Sequence, residues 1–105
     1  MRVEEVDMFV VTYRIRTKRD QRQAFFVCWR TIAEAKRDHC GSMGSQLFAE
    51  SDRTHVVFER WPDKATYDAC TLPGNYSDLN SDLHGLCEEW EKTAEMELVE
   101  SVTAG

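Results

Sequence analysis

The sequence predicts an α+β fold whose elements follow one another as strand, helix, strand, strand, helix and strand. Two patterns indicate it: short segments rich in β-branched and aromatic residues alternate apolar and polar positions, and longer segments repeat apolar residues every three or four positions. A chain of 105 residues fits one domain. We therefore treat residues 1–105 as a single domain with its core over about 8–102.

The first strand is predicted over residues 8–16. Large side chains share one of its faces, namely Phe9, Val11, Tyr13 and Ile15. The first half of the segment is apolar on both faces, a pattern typical of a strand that is covered on both sides.

A long helix is predicted from Asp20 as N-cap, with Gln23 as its capping-box partner, to about His39. Its apolar residues recur at helical spacing: Phe25, Cys28, Ile32 and Ala35. Phe26, Trp29 and Ala33 widen this stripe, which indicates burial on more than one side or the wall of a pocket. Gly41 is expected to end the helix in a left-handed conformation.

Two strands are predicted next, over 42–51 and 54–61, joined by a short turn at Asp52 and Arg53. Pro62 ends the second strand because it cannot donate to a β-ladder, and Asp63 can cap a short helix over 64–71. Trp61 therefore lies at a strand end beside a helix N-terminus. Its ring could line a pocket, or it could simply close the end of the core.

Ser77 can cap a last helix, whose apolar stripe consists of Leu79, Leu83, Leu86, Cys87 and Trp90. A fourth strand is predicted over 92–102. The whole order is that of the ferredoxin-like βαββαβ arrangement, with helices on one face of an antiparallel four-stranded sheet. Because the strands carry apolar residues on both faces, we expect a second copy of the chain to cover the other face, giving a homodimer.

The formal net charge of −6 argues against nucleic acid as a partner, because binding to phosphates requires a basic face. It argues equally against an anionic membrane surface, and no apolar run approaches the roughly 20 residues of a membrane span. The N-terminus carries acidic residues before a short apolar run, unlike a secretory signal. We therefore expect a cytoplasmic protein.

The four cysteines are far apart in sequence and form no CxxC pair, so no zinc ribbon or thioredoxin-type site is indicated. Cys28 and Cys87 are expected to be small core residues. A disulfide framework is not expected in a cytosolic chain with a core of this size. The histidines and acids show no recognisable metal-ligand spacing, and no cofactor is predicted.

Three stretches carry a resemblance to a known family. The first helix holds a large aromatic at Trp29 and is followed by a strand of the G-S-x-x-L type at 44–47; the third strand ends in F-E-R-W at 58–61; and A-x-Y follows at 65–67. Over about Phe9 to Val102 the chain resembles the antibiotic biosynthesis monooxygenase domain, a dimeric α/β barrel.

The resemblance implies a cavity between sheet and helices that binds a small aromatic ligand, in this family flat polyketides, quinols, haem or small signalling molecules. It implies cofactor-free oxygenation, in which the substrate anion itself reacts with oxygen. Trp61 and Tyr67 match positions that lie at the substrate, and His84 could reach the cavity as a proton acceptor. We expect the cavity to be lined by Phe9, Tyr13, Phe25, Trp29 and Leu47.

Two departures from the family keep an alternative open. The family's aromatic-oxidising members have an Asn four residues before the Trp, whereas this chain has Val57, which cannot hydrogen-bond an oxyanion. Haem degradation is less expected, because the first strand has no Asn and Cys70 and Thr71 occupy the region where those members have a His. The alternative to a monooxygenase is a non-catalytic, ligand-binding or structural dimer of the same fold.

Overall fold

The structure is a computed structural model that describes residues 2–4 and 7–103. The helices are α1 (Arg22–Cys40), α2 (Lys64–Asp68) and α3 (Ser77–Gly85), with a 3₁₀ turn over Gly74–Tyr76. The strands are β1 (Arg2–Glu4), β2 (Phe9–Thr17), β3 (Gly44–Ala49), β4 (Thr54–Trp61), β5 (Cys87–Glu97) and β6 (Ser101–Thr103). Within these ranges, no helix is both long and apolar enough to cross a membrane.

Four strands form one antiparallel sheet in the order β3-β4-β2-β5. The pairing places the first and third predicted strands side by side in the middle, with Phe9 opposite Trp61 and Tyr13 opposite Val57. This order confirms the predicted ferredoxin-like fold. A separate ribbon of β1 and β6 pairs the two ends of the chain and was not predicted.

Several local predictions are confirmed. Strand β4 has the predicted bounds, and Pro62 follows it. Asp63 caps α2: its side chain accepts a hydrogen bond of 2.7 Å from the backbone N–H of Thr66. Gly41 follows α1 with φ 78°, a left-handed conformation that costs glycine little because it has no Cβ.

The predicted caps of the two longer helices are wrong. Asp20 has φ 64° and belongs to the turn before α1, so the helix begins at Arg22 without a side-chain cap from Gln21. An aspartate tolerates this left-handed conformation better than most residues, which explains why the turn can form there. Ser77 is the first residue of α3 rather than its cap, because the 3₁₀ turn leads directly into the helix.

The boundary between α3 and β5 was also predicted wrongly. The helix ends at Gly85, and Cys87 and Trp90 lie on β5, where they pair with Thr17 and Ile15 of β2. The spacing of the apolar residues suits a helix, but pairing with the central strand β2 outweighs it. The last strand therefore begins five residues before the predicted start at Lys92.

Cys40 and Cys70 form a disulfide, contrary to the expectation of no disulfide framework. Cys40 is the last residue of α1, and Cys70 lies two residues beyond α2. The fold brings these two helix ends together although 30 residues separate the cysteines in sequence. Sequence spacing gives no sign of such a contact. Cys28 and Cys87 are free thiols that pack against the core, as predicted.

The buried apolar residues form two clusters between the sheet and the helices. The larger one, here the Phe25 cluster, consists of Ile15, Phe25, Ile32, Val57 and Leu83. The smaller one, here the Trp61 cluster, consists of Phe9, Val11 and Trp61, with Tyr67, Cys40 and Cys70 packed against it. The two clusters meet at Tyr13, which contacts both.

The opposite face of the sheet exposes large apolar side chains. Phe48, Phe58 and Met96 are 52%, 36% and 44% exposed. The rings of Phe48 and Phe58 meet edge to face at 5.6 Å between centroids. Residues of neighbouring strands on one sheet face lie close together, so Phe48 and Phe58 form a joint apolar surface, whereas Met96 lies on β5, on the other side of β2.

Candidate active-site cavity

A cavity of about 110 Å³ opens between the sheet, α1 and α3, beside the Phe25 cluster. Strands β2, β4 and β5 contribute Tyr13, Val57, Glu59 and Trp90. Helix α1 contributes Trp29, Ile32, Ala33 and Lys36, and α3 contributes Asn80, Leu83 and His84. Val57, Glu59, Ile32 and Leu83 are buried, whereas Asn80 and His84 are exposed. The cavity therefore has a mostly apolar floor that includes the buried Glu59 carboxylate, and a polar mouth on the side of α3.

Aromatic rings form much of the wall. Tyr13 and Trp90 have ring centroids 5.8 Å apart and planes tilted by 55°. Trp29 joins them from α1, where it is half-buried. Apolar walls with a few polar groups are typical of sites for small organic ligands, so these rings favour an aromatic ligand.

An ion pair lies at the cavity wall. The Lys36 Nζ donates a hydrogen bond of 2.7 Å to Oε2 of Glu59, whose side chain is only 6% exposed. The other oxygen of that carboxylate, Oε1, accepts a hydrogen bond of 3.2 Å from the indole N–H of Trp61. Both carboxylate oxygens thus accept a hydrogen bond. A buried charge requires such partners, because it has lost its contact with water.

His84 lies at the mouth with one side of its ring exposed. The other side packs on Trp90 at 4.2 Å between centroids. Partial burial and the nearby Lys36 ammonium lower the pKa of His84 below its usual value. The imidazole is therefore neutral near pH 7 and able to accept a proton.

Tyr13 and Tyr67 join the two clusters through their hydroxyl groups, which lie 3.2 Å apart. Burial raises the pKa of Tyr13, and the charge of Glu59 and the hydrogen bond to Tyr67 raise it further. Tyr13 thus stays a neutral phenol that can donate or accept a hydrogen bond. Tyr67 is held in turn by the Lys92 ammonium, 4.9 Å from its ring centroid.

Only three of the predicted site residues line the cavity, namely Tyr13, Trp29 and His84. Trp61 is fully buried in its own cluster, with its ring 5.6 Å from that of Tyr67. Tyr67 and Phe9 belong to that cluster too. Phe25 is a fully buried core residue, and Leu47 packs against the Phe25 cluster without lining the cavity. The catalytic and substrate-binding roles of these five residues stay predictions.

Among the polar and aromatic residues of the wall, sequence reasoning missed four: Lys36, Glu59, Asn80 and Trp90. The signal for Glu59 was present, because a carboxylate between Val57 and Trp61 points to the same face as both and must be buried with them. Asn80 stands four residues before His84, one helical turn away on the same face. Lys36 carried no signal of its own, since lysines on helices are usually solvated. Trp90 was assigned to the wrong element.

Among the residues that the structure describes, no group of three or more His, Cys, Asp or Glu side chains is placed to hold a metal ion. No family model matches the sequence, and no curated protein matches it.

Solved structures do match the fold over most of the chain. One is a protein from Nitrosomonas europaea named as a candidate antibiotic biosynthesis monooxygenase, with a TM-score of 0.75 and 16% identity over 91% of this chain and 94% of that one. The chain has the antibiotic biosynthesis monooxygenase fold. The same fold recurs in a variant of SnoaB, a cofactor-independent oxygenase from Streptomyces nogalater, with a TM-score of 0.70 and 14% identity over 91% and 95% of the two chains.

A third structure that matches the fold of this chain is Rv0793 from Mycobacterium tuberculosis, with a TM-score of 0.66 and 19% identity over 93% and 99% of the two chains. At such identities the likeness concerns the course of the backbone. It confirms the predicted fold, but the chemistry of the cavity depends on this chain's own residues.

Proposed function

We propose that the protein is a small oxygenase-like enzyme that acts on a phenol, quinol or enol of one ring in the cavity, without a metal or flavin. The observation that carries the proposal is a cavity with aromatic walls and a neutral imidazole, that of His84, at its mouth. The fold shared with SnoaB, named a cofactor-independent oxygenase, supports the reaction type.

The size of the cavity supports a single ring. An apolar cavity of about 150 Å³ in another protein takes up benzene. The volume here, about 110 Å³, is slightly smaller and opens at one side. One ring fits if the walls yield a little, whereas a flat system of several fused rings would require Trp29 or Trp90 to move.

The proposed reaction begins with a proton transfer. His84 accepts a proton from the ligand's O–H or C–H group, and the electron pair stays on the ligand as a delocalised anion. The anion reacts with O₂. One oxygen atom enters the product as a carbonyl and the other leaves as water; one hydrogen of that water comes from the oxidised carbon and the other from the substrate's O–H group. The four electrons that reduce O₂ come from the substrate, so no other reductant is needed.

Oxygen consumption tests this proposal. We expect uptake with single-ring quinols or phenols, surviving a chelator, with one atom from ¹⁸O₂ in the product. Replacing His84 by Gln should lower kcat by about a hundredfold or more, since it removes the proton acceptor. His39→Gln is the matched control, because His39 packs beside Tyr76 and does not line the cavity, so this variant should retain turnover. Full turnover in His84→Gln, or no uptake with any substrate, would contradict the proposal.

The alternative function is a ligand-binding dimer without catalysis. Val57 favours it, because this apolar side chain forms part of the cavity floor where the family's aromatic-oxidising members have an amide. Binding of a single-ring ligand without oxygen uptake would support this alternative.

Both functions include a homodimer formed through the exposed sheet face. The exposure of Phe48 and Phe58, whose rings are in contact, supports it, because contiguous apolar surface is typical of interfaces. Sedimentation equilibrium should give twice the monomer mass, and Phe58→Lys should give the monomer mass with its helical signal intact. Glu34→Lys, an exposed change on α1 on the other side of the sheet, is the control. A monomeric wild-type protein would overturn the dimer.

A further inference from the structure

We infer that Lys36 binds the anionic form of the ligand, and that Trp61 positions Lys36 through Glu59 without touching the ligand. The inference rests on the proposed function and narrows its substrate class. The ligand is a single ring that carries an acidic O–H group or an enolisable C–H group and is bound as its conjugate base.

The geometry forms one continuous chain of hydrogen bonds. The Trp61 indole N–H donates to Oε1 of Glu59, and the Lys36 ammonium donates to Oε2 of the same carboxylate. Lys36 and Glu59 line the cavity, whereas Trp61 does not. An ammonium group has three donors, so Lys36 keeps donors for a ligand after its bond to Glu59.

The positions of these residues argue for this division of roles. Trp61 is fully buried, so its ring offers no surface for a ligand. Its N–H fixes one oxygen of a carboxylate that is 5% exposed, and Glu59 then fixes the ammonium. A lysine side chain is flexible, and holding its charged end at one point lowers the entropy that it loses when an anion binds.

The charges balance through the proton transfer. Before it, the lysine and glutamate cancel each other, and His84 and the ligand are neutral. Afterwards the imidazolium and the ligand anion have opposite charges, so the net charge of the cavity is unchanged. Tyr13 also titrates and lines the cavity, but it stays a phenol and can donate a hydrogen bond to the anion.

The probe for this inference is 4-nitrophenol, whose phenolate absorbs visible light. Its affinity and the pH at which the bound ligand ionises can both be read from absorbance. Nitrobenzene, which has the same ring and no acidic group, is the neutral comparison ligand. The variants are Lys36→Met, Lys36→Arg and Trp61→Phe, each checked for folding by circular dichroism.

In the wild-type protein we expect bound 4-nitrophenol to ionise at a lower pH than the free compound. Lys36→Met should weaken phenolate binding by about tenfold or more, the effect typical of losing a charge-assisted hydrogen bond, and leave nitrobenzene binding within about twofold. Lys36→Arg should restore the phenolate preference. Trp61→Phe keeps a large ring but removes the N–H. It should therefore raise the pH at which the bound ligand ionises, as Lys36→Met should, but by a smaller amount.

Unchanged phenolate binding in Lys36→Met would overturn the inference. It would also be overturned if the wild-type protein bound neither 4-nitrophenol nor nitrobenzene. An unchanged ionisation pH in folded Trp61→Phe would overturn the positioning role of Trp61. The oxygenase proposal can fail separately: a Lys36-dependent phenolate preference without oxygen uptake would leave this inference standing and remove only the reaction.

Discussion

The two core clusters differ in what lies beside them. A cavity with polar groups at its mouth adjoins the Phe25 cluster. In the Trp61 cluster, Phe9, Val11 and Trp61 are at most 3% exposed and the Cys40–Cys70 disulfide packs against them. The pocket at its edge, of about 180 Å³ and lined by Phe9, is more open to solvent and does not reach Trp61. Trp61 lies in this cluster and Tyr67 packs against it, and neither lines the cavity.

The largest expected effect distinguishes the two tryptophans. Trp61→Ala should lower the free energy of unfolding by about 3–5 kcal/mol, because it empties a buried and well-packed cluster. Trp29→Ala should cost clearly less, because Trp29 is half-buried and already faces a cavity. Urea unfolding of both variants measures the difference. Equal losses in the free energy of unfolding would contradict the distinction between the two clusters.

The disulfide should have the next largest effect. Cys70→Ser is expected to cost roughly 2–4 kcal/mol, because the bond closes a loop of intermediate length in the unfolded chain. Cys87→Ser is the control, since Cys87 is a free thiol. Urea unfolding with and without dithiothreitol should show the wild-type protein falling to the stability of Cys70→Ser. If reductant left the wild-type curve unchanged, the bond would not form in solution.

The link between the clusters should contribute less. Tyr67→Phe removes the hydrogen bond to Tyr13 and should cost about 1 kcal/mol. Because Tyr13 then loses a partner while staying in the cavity wall, ligand affinity should also change. Tyr76→Phe is the control: Tyr76 packs against the Phe25 cluster and stacks on His39. Chemical unfolding and ligand titration measure the two effects. If neither the free energy of unfolding nor the ligand affinity changed, the hydrogen bond between Tyr13 and Tyr67 would not couple the two clusters.

The smallest effect at neutral pH concerns His55, which is 1% exposed between Phe25 and Phe26. Burial, and secondly Arg22, lower its pKa below the usual value of 6.5. The unfolded chain therefore binds the proton more readily. The contribution of His55 to the free energy of unfolding should be fully present above about pH 6.5 and should be lost as the pH drops towards the pKa of the folded state. His55→Phe should flatten this part of the stability–pH curve, whereas an unchanged slope would contradict the assignment.

The fold could be predicted because its local signals agree with its tertiary contacts. The alternation in β2, the Pro62 stop and the Gly41 terminus each depend on neighbours in sequence. The errors arise where distant segments decide. Pairing with β2 makes Trp90 part of a strand, and the approach of two helix ends joins Cys40 to Cys70.

The candidate site was less predictable for the same reason. His84, Tyr13 and Trp29 could be named because their residue types indicate ligand contact on their own. Lys36 becomes a candidate site residue only through its ion pair with Glu59, 23 residues away in sequence. The spacing of residues along the chain does not predict such a pair.

The central claim is that ligands bind beside the Phe25 cluster and not at Trp61. The chain has three tryptophans, and each indole N–H gives one signal in a ¹⁵N-correlated NMR spectrum, assignable from Trp→Phe variants. Titration with 4-nitrophenol should shift the signals of Trp29 and Trp90 most, because both line the cavity. The largest shift at Trp61, with Trp29 and Trp90 unmoved, would place the ligand in the other cluster and contradict the account.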